Sequence, residues 1–392
     1  MIPNRDDLRV SRRTAFVCDE RFFWHHAGVP VCGCDPADLD PDRGNYFQSS
    51  RHFENAETKR RLRNLVDACG LLDYLDTTTV RRREATDEEL TLFHSLSYVE
   101  TVRSMTAGGD AGDFAQFGRG SFNIARLAVG SGIEAVDALL ASDPQIDNAY
   151  VLCRPPGHHA ERDRGMGFCI FNNVAIAARH AQLHYGKRVA IVDFDVHHGN
   201  GTQQAFYDDD QVLFLSIHED SLYPQGSGPS SDRGEGKGMF DTINVPLPAG
   251  SGVGAYKYSF EKIILPALKA FNADLLIVSC GFDASFSDPL GHMMLTSECF
   301  GEIATMLLES IRVPSCFFHE GGYSEELVPF CGLRVIESMC GIEASRVVDP
   351  GDEEANGYGY QNLQSWQKGI VDDVYNLCAK PCIEKHTLEK SS

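Results

Sequence analysis

A chain of 392 residues with 43% hydrophobic residues is long enough to bury a substantial core, and no Pro/Gly/Ser-rich linker, charge block or internal repeat divides it. Its 35 Lys and Arg against 56 Asp and Glu leave a net charge of −21, which argues against direct nucleic-acid binding and favours basic partners. The 13 cysteines lack the spacing of a secreted disulfide framework, no apolar leader follows the amino-terminus, and no run reaches the roughly 18 apolar residues of a membrane span; the reading is one intracellular domain over residues 1–392 with reduced thiols.

Residues 14–18 read as a first strand. The aromatic run Phe22-Phe23-Trp24-His25-His26 follows, far in sequence from any acidic partner set, so its histidines read as structural or surface residues. Cys32-Gly33-Cys34 has no second Cys pair nearby and reads as a loop with two free thiols. Leu62, Leu65, Val66 and Cys69 recur at helical spacing and predict a helix over 57–69 that Gly70 can cap. Residues 86–98 are predicted helical behind a Thr86/Glu89 capping box. Residues 108–113 form a loop by their glycines, and two carboxylates without a Lys argue against phosphate binding there. Ser121 opens a long helix to about residue 140. From residue 148 onward strand, loop and helix alternate, with strands over 149–153, 189–193, 212–217, 242–245, 275–280 and 316–318. The clearest helix spans 256–271, where Tyr256, Phe260, Ile263, Ile264, Ala267, Leu268 and Phe271 keep one apolar face. This alternation implies an α/β fold, a mostly parallel sheet with helices on both faces. Beyond about residue 340 an acidic connection leads to one more amphipathic helix over 361–377.

In a parallel sheet the residues after each strand gather along one edge, where open α/β sheets place their ligands. Four strand ends are unusually polar: Arg154-Pro155-Pro156-Gly157-His158-His159, Asp195 with His197, Gly281-Phe282-Asp283, and His319-Glu320-Gly321-Gly322-Tyr323. Asp195 and His197, two apart, project the same way and can share a cation. A set of two Asp and one His leaves an open position, as a catalytic metal site does. A cation on Asp195, His197 and Asp283 polarises a carbonyl and acidifies water, adjacent His158 and His159 suit proton traffic, and Tyr323 on its Gly-Gly turn can donate to an oxyanion. Asp193 and Asn200 are candidates to orient the histidines. Singly, each residue has a structural explanation: Asp283 as a helix cap, Tyr323 in a loop hydrogen bond, the histidines on backbone groups. Four such ends together point to metal-assisted hydrolysis.

These residues resemble the zinc-dependent histone deacetylase family, nearest to its class II-like members and the bacterial histone deacetylase-like amidohydrolases. The stretches that carry the resemblance are Arg154 to His159, Gly165-Met166-Gly167-Phe168-Cys169-Ile170-Phe171-Asn172-Asn173, Asp193-Phe194-Asp195-Val196-His197-His198-Gly199-Asn200-Gly201, Gly281-Phe282-Asp283-Ala284 and Glu320-Gly321-Gly322-Tyr323. It extends over about residues 14–340, with His52-Phe53-Glu54-Asn55 and Asp288-Pro289-Leu290, and leaves 341–392 as a carboxy-terminal extension. It implies an arginase/deacetylase-like fold, zinc on Asp195, His197 and Asp283 with ferrous iron as the alternative ion, His158 and His159 as the proton-transfer pair, and Tyr323 as the carbonyl-polarising residue. It further implies a structural monovalent cation, K+, with Asp193 and Ser216 at the inner site. Gly167, Phe168 and Gly321 fall along a narrow acyl-lysine tunnel. Tyr223, before Pro224, stands where the family commonly has a second tunnel phenylalanine, Asn200 stands where some members have Asp, and Asp113 matches a rim residue that grips substrate backbone.

The expected activity is hydrolysis of N-ε-acetyl-lysine in basic proteins such as histones. Its rivals are an acetylpolyamine deacetylase, a catalytically silent acyl-lysine-binding scaffold, and a two-metal ureohydrolase. Against the last, Asp283 is followed by Ala284-Ser285, with no second Asp to bridge another metal.

Overall fold

The computed structural model describes residues 9–28, 39–40, 45–46, 52–342, 345, 347–357 and 361–390; Cys32 and Cys34 lie outside the described residues. Seven strands form the central sheet: β1 (Thr14–Val17), β2 (Asn148–Val151), β3 (Val189–Asp193), β4 (Val212–Glu219), β5 (Thr242–Leu247), β6 (Leu275–Cys280) and β7 (Ser315–His319). Their spatial order is β1-β2-β7-β6-β3-β4-β5, and every pairing is parallel. All residues of β1, β2, β3, β6 and β7 are buried. Successive strand residues face opposite sides, so burial without alternation means that the sheet is covered on both. The strands lie within two residues of the ends that the apolar runs predict.

Helices surround this sheet. Ser121–Leu139 packs on Asn173–Tyr185, and Val328–Cys340 packs on both Ser297–Ile311 and Glu57–Ala68. Among the described residues every cysteine is a free thiol. No described helix is long and apolar enough to cross a membrane.

Three predicted elements are corrected. The Thr86/Glu89 capping box forms, but its helix is one turn, Asp87–Leu90, and a second helix, Leu96–Ser104, starts anew at its own cap Ser95. Tertiary bonds pull the link out of helical geometry: Ser95 N–H donates to Arg162 O (3.1 Å), and the His94 ring accepts from Asn172 N–H (2.9 Å). The glycine-rich stretch after residue 107 is not a plain loop. Gly108–Asp110 pairs antiparallel with Gln116–Gly118, and Gly112–Asp113 pairs parallel with Gly165–Met166. The last predicted helix, 361–377, starts later and runs further, as Ser365–Val374, a π turn Tyr375–Ala379 and Lys380–Glu389.

That final helix is held at the amino-terminal end of the sheet. Asp241, fully buried just before β5, accepts from Lys385 Nζ (2.6 Å) and lies 2.6 Å from His386 Nε2. Removing the carboxylate leaves the half-buried Lys385 ammonium without its counter-charge and the buried His386 ring without its partner. Asp241→Ala is therefore expected to destabilise the protein by about 3 kcal/mol in urea unfolding, a cost typical of breaking a buried ion pair from one side. A loss under about 0.5 kcal/mol, the range of an ordinary surface substitution, would assign the helix's anchorage to apolar contacts alone.

Candidate active site

The strands β2, β7, β6 and β3 are successive neighbours, so the residues that follow them meet at one edge. The chain leaves β3 toward β4 on one side and leaves β6 toward β7 on the other. Connections that diverge this way open a crevice at the strands' carboxyl ends. Asp195 and His197 enter it from β3, Asp283 from β6.

All three are buried, and their ligand atoms lie within 4.8 Å of one another. His197 Nδ1 is 3.1 Å from Asp195 Oδ1 and 3.0 Å from Asp283 Oδ2. Backbone groups aim the carboxylates: His197 N–H and Gly321 N–H donate to Asp195 Oδ1 (2.9 Å) and Oδ2 (2.8 Å), and Val196 N–H donates to Asp283 Oδ1 (2.7 Å). This approach requires glycine. A Cβ at Gly281 would overlap Asp195 Oδ2, and one at Gly321 would overlap Asp283 Oδ2.

Charge here is set by competition between burial and close neighbours. Burial, reinforced by Asp195, raises the Asp283 carboxyl to about 6. Burial also disfavours ionised Asp195, yet His158 and His197 hold it below the usual carboxylate range. Burial would strip the His197 proton, but Asp283 and Asp195 hold it well above the usual imidazole range. A positive charge thus sits between two carboxylates, and two carboxylates with one imidazole fit a divalent cation at that position.

The two histidines after β2 differ in state. His158 Nδ1 donates to Asp193 Oδ2 (3.0 Å), and its Nε2 lies 3.8 Å from Asp195 Oδ1. Burial opposes its charge, but Asp195 and Asp193 prevail and raise it to about 10. His159, with its ring centroid 4.0 Å away, is held well below the usual range by burial and by His158 and His197. Its Nδ1 donates to Asn200 Oδ1 (2.9 Å), an orientation fixed because Asn200 Nδ2 donates to Glu161 Oε1 (2.8 Å) and His159 O (3.3 Å). Neutral His159 therefore presents a free lone pair at Nε2.

Aromatic rings surround the trio. Tyr223 and Tyr323 flank His197 at 6.4 and 6.5 Å between centroids, Phe168 abuts Tyr323 at 5.9 Å, and Tyr223 meets His159 edge-on at 5.1 Å. Gly167 fits between His159 and Tyr223, where a Cβ would lie 2.8 Å from the Tyr223 ring. The Tyr223 hydroxyl donates to Asp113 on the neighbouring strand. Burial, with Asp283 next, raises the Tyr323 phenol well above its ordinary value, so it stays a donor. Ser216 is the cross-strand partner of Asp193, with Oγ on His218 Nδ1 (2.8 Å). His25 is buried away from these residues, and burial lowers it to about 3.

Sequence reasoning quoted Glu320 and Asp288 but gave them no role. Glu320 Oε2 accepts from Gly157 N–H (2.6 Å) and His158 N–H (3.2 Å), fixing the histidine loop, and Asp288 Oδ2 accepts from Tyr323 N–H (2.7 Å). Burial raises these carboxyls to about 7 and about 8. Buried Arg154 forms a two-point pair with Glu54 (2.7 and 2.6 Å) behind the same loop. The available signal is a carboxylate directly after an apolar strand, as at Glu320, or directly before a proline, as at Asp288, and each is compatible with many roles.

The Histone deacetylase domain family matches residues 52–339. Over 351 residues the chain is 43% identical to a histone deacetylase-like amidohydrolase of Pseudomonas aeruginosa, covering 87% of this chain and 89% of that protein. It is 38% identical over 282 residues to a polyamine deacetylase of Homo sapiens, covering 68% of this chain and 42% of that protein. The crystal structure of the HDA15 HD domain is similar with a TM-score of 0.79 at 28% identity, covering 97% of this chain and 99% of that one.

A divalent cation entering the trio must displace the His197 proton. Because the folded His197 titrates above its unfolded value of 6.5, its contribution to metal-free stability is present below that pH and lost as pH rises through the folded value. The stabilisation gained on adding cation therefore grows with pH. Calorimetry at pH 7 in buffers of different ionisation enthalpy is expected to count about one proton released per ion. A count of zero would contradict the charge state of the trio.

Proposed function

Because the chain belongs to the histone deacetylase family and is thereby a hydrolytic deacetylase, we propose that it removes acetyl from the ε-amine of lysine in basic proteins such as histones, as a class II-like enzyme with zinc on Asp195, His197 and Asp283. The observation that carries this reading is the meeting of a buried trio of two carboxylates and one imidazole with an adjacent pair of histidines, one on Asp193 and one on Asn200, among aromatic rings. Ferrous iron suits the same donors, so metal analysis accompanies every activity measurement. A monovalent cation beside Asp193 and Ser216 belongs to the same proposal.

A divalent cation in the trio supplies Lewis-acid polarisation of the amide carbonyl and lowers the pKa of water. His159 Nε2, free because Nδ1–H is committed to Asn200, takes the proton of the attacking water and delivers it to the departing amine. His158, oriented by its hydrogen bond to Asp193, stabilises negative charge developing next to it. Tyr323 keeps its phenol proton and donates to the oxyanion. Phe168 and Tyr223 line the path of the aliphatic lysine stem, and the net charge of −21 favours a basic substrate.

An acetylated polyamine meets the same charge requirement, and the human relative named above is a polyamine deacetylase. Turnover of acetyl-lysine peptides and acetylpolyamines by metal-quantified protein separates the two. Faster turnover of peptides supports the proposal, and a preference for polyamines overturns its substrate. Wild type is expected to hold one divalent ion in the trio, and Asp195→Ala or His197→Ala to lose both ion and activity.

Tyr323→Phe keeps the ring, so metal content and melting temperature serve as controls. Its kcat is expected to fall ~10²–10³-fold, the usual cost of removing one oxyanion donor. A kcat within about threefold of wild type, under ~1 kcal/mol, would remove Tyr323 from the chemistry.

A further inference from the structure

We propose that Tyr223 is a positioning residue for substrate capture: its hydroxyl holds the Asp113 carboxylate so that one oxygen faces the main chain of an incoming peptide. The inference rests on the deacetylase reading above. Asp113 is exposed at the end of the short strand Gly112–Asp113, and its side chain would otherwise rotate freely. Two contacts arrest it. Gly167 N–H donates to Asp113 O (2.9 Å), which fixes the backbone, and Tyr223 Oη donates to Asp113 Oδ2 (3.1 Å), which fixes the carboxylate; Oη also lies 3.4 Å from Asp113 O. Asp113 Oδ1 accepts no hydrogen bond from the described residues, leaving an acceptor for amide N–H donors.

The support beneath this pair is stiff. Phe168 N–H donates to Phe114 O (2.8 Å), and both phenylalanines hold left-handed backbone, φ 67 and 52, a conformation that side chains other than glycine rarely adopt. Phe114, half exposed, meets the Tyr223 ring edge-on at 6.1 Å. The same ring meets His159 at 5.1 Å, with Gly167 leaving no slack between them. One side chain thus touches both the neutral histidine and the carboxylate at the rim. A phenylalanine here would keep the ring contacts and lose the grip on Asp113.

The test compares two substrates: an acetyl-lysine peptide with residues on both sides, and N-acetyl-n-butylamine, which is the acetylated side chain without backbone amides. Wild type, Tyr223→Phe, Asp113→Ala and the double variant are each assayed on both. The ratio of kcat/KM for peptide to that for the short amide is expected to fall about fivefold in Tyr223→Phe, the worth of one partly exposed hydrogen bond to a charged acceptor. Asp113→Ala lowers the ratio at least as far, and the double variant falls no further than Asp113→Ala, because the two act through one contact. Equal losses on both substrates, or effects that multiply in the double variant, overturn the proposal while leaving the deacetylase intact. Failure of metal-loaded wild type to hydrolyse the peptide overturns the acetyl-lysine reading and this inference with it.

Discussion

The structure turns on keeping several carboxylates ionisable in places that water does not reach. Asp193, Asp195, Asp283, Asp288 and Glu320 are all buried, and a carboxylate in that setting needs hydrogen bonds or a counter-charge. Parallel strands provide the donors. Where a strand ends, its ladder stops and backbone N–H groups become available, and these are the groups that Asp195, Asp283, Asp288 and Glu320 engage. Glycine at 281 and 321 lets main chain come close enough to do so. The remaining charge requirement is met at the centre, by the histidines or by a cation.

The two ends of the sheet are used differently. At the carboxyl ends, the trio Asp195, His197 and Asp283 brings together groups that could hold a cation. At the amino ends, Asp241 engages Lys385 and His386 and fastens the last helix. The same residue types thus form a candidate ligand site at one edge and fasten a helix at the other.

Much of this could be read from the sequence because a parallel sheet buries both faces and so writes its strands as unbroken apolar runs. The sudden polarity after Val151, Asp193, Cys280 and His319 then marks the edge where chemistry gathers, and the strand order brings those four ends side by side. The elements that were misjudged depend on partners distant in sequence. Nothing local to residues 91–95 tells that Arg162 and Asn172 will claim the backbone and ring there. The last helix also runs past Pro381, and a π turn over Tyr375–Ala379 precedes that proline as one over Phe260–Ile264 precedes Pro266. The engagement of the Tyr223 hydroxyl by Asp113, 110 positions away, was equally invisible.

The separation of the site's parts along the chain also governs when it can exist. Gly321 and Asp195 are 126 residues apart, and Val196 and Asp283 are 87 apart. Contacts of such length close late, since the entropy of large loops opposes them until much of the sheet has assembled. During folding, then, the carboxylates of β3 wait without their donors until β6 and β7 have docked on the same edge. A cation held by the native trio would therefore report the last events of assembly rather than the first, and an early-bound ion would have to be held by a geometry other than the native one.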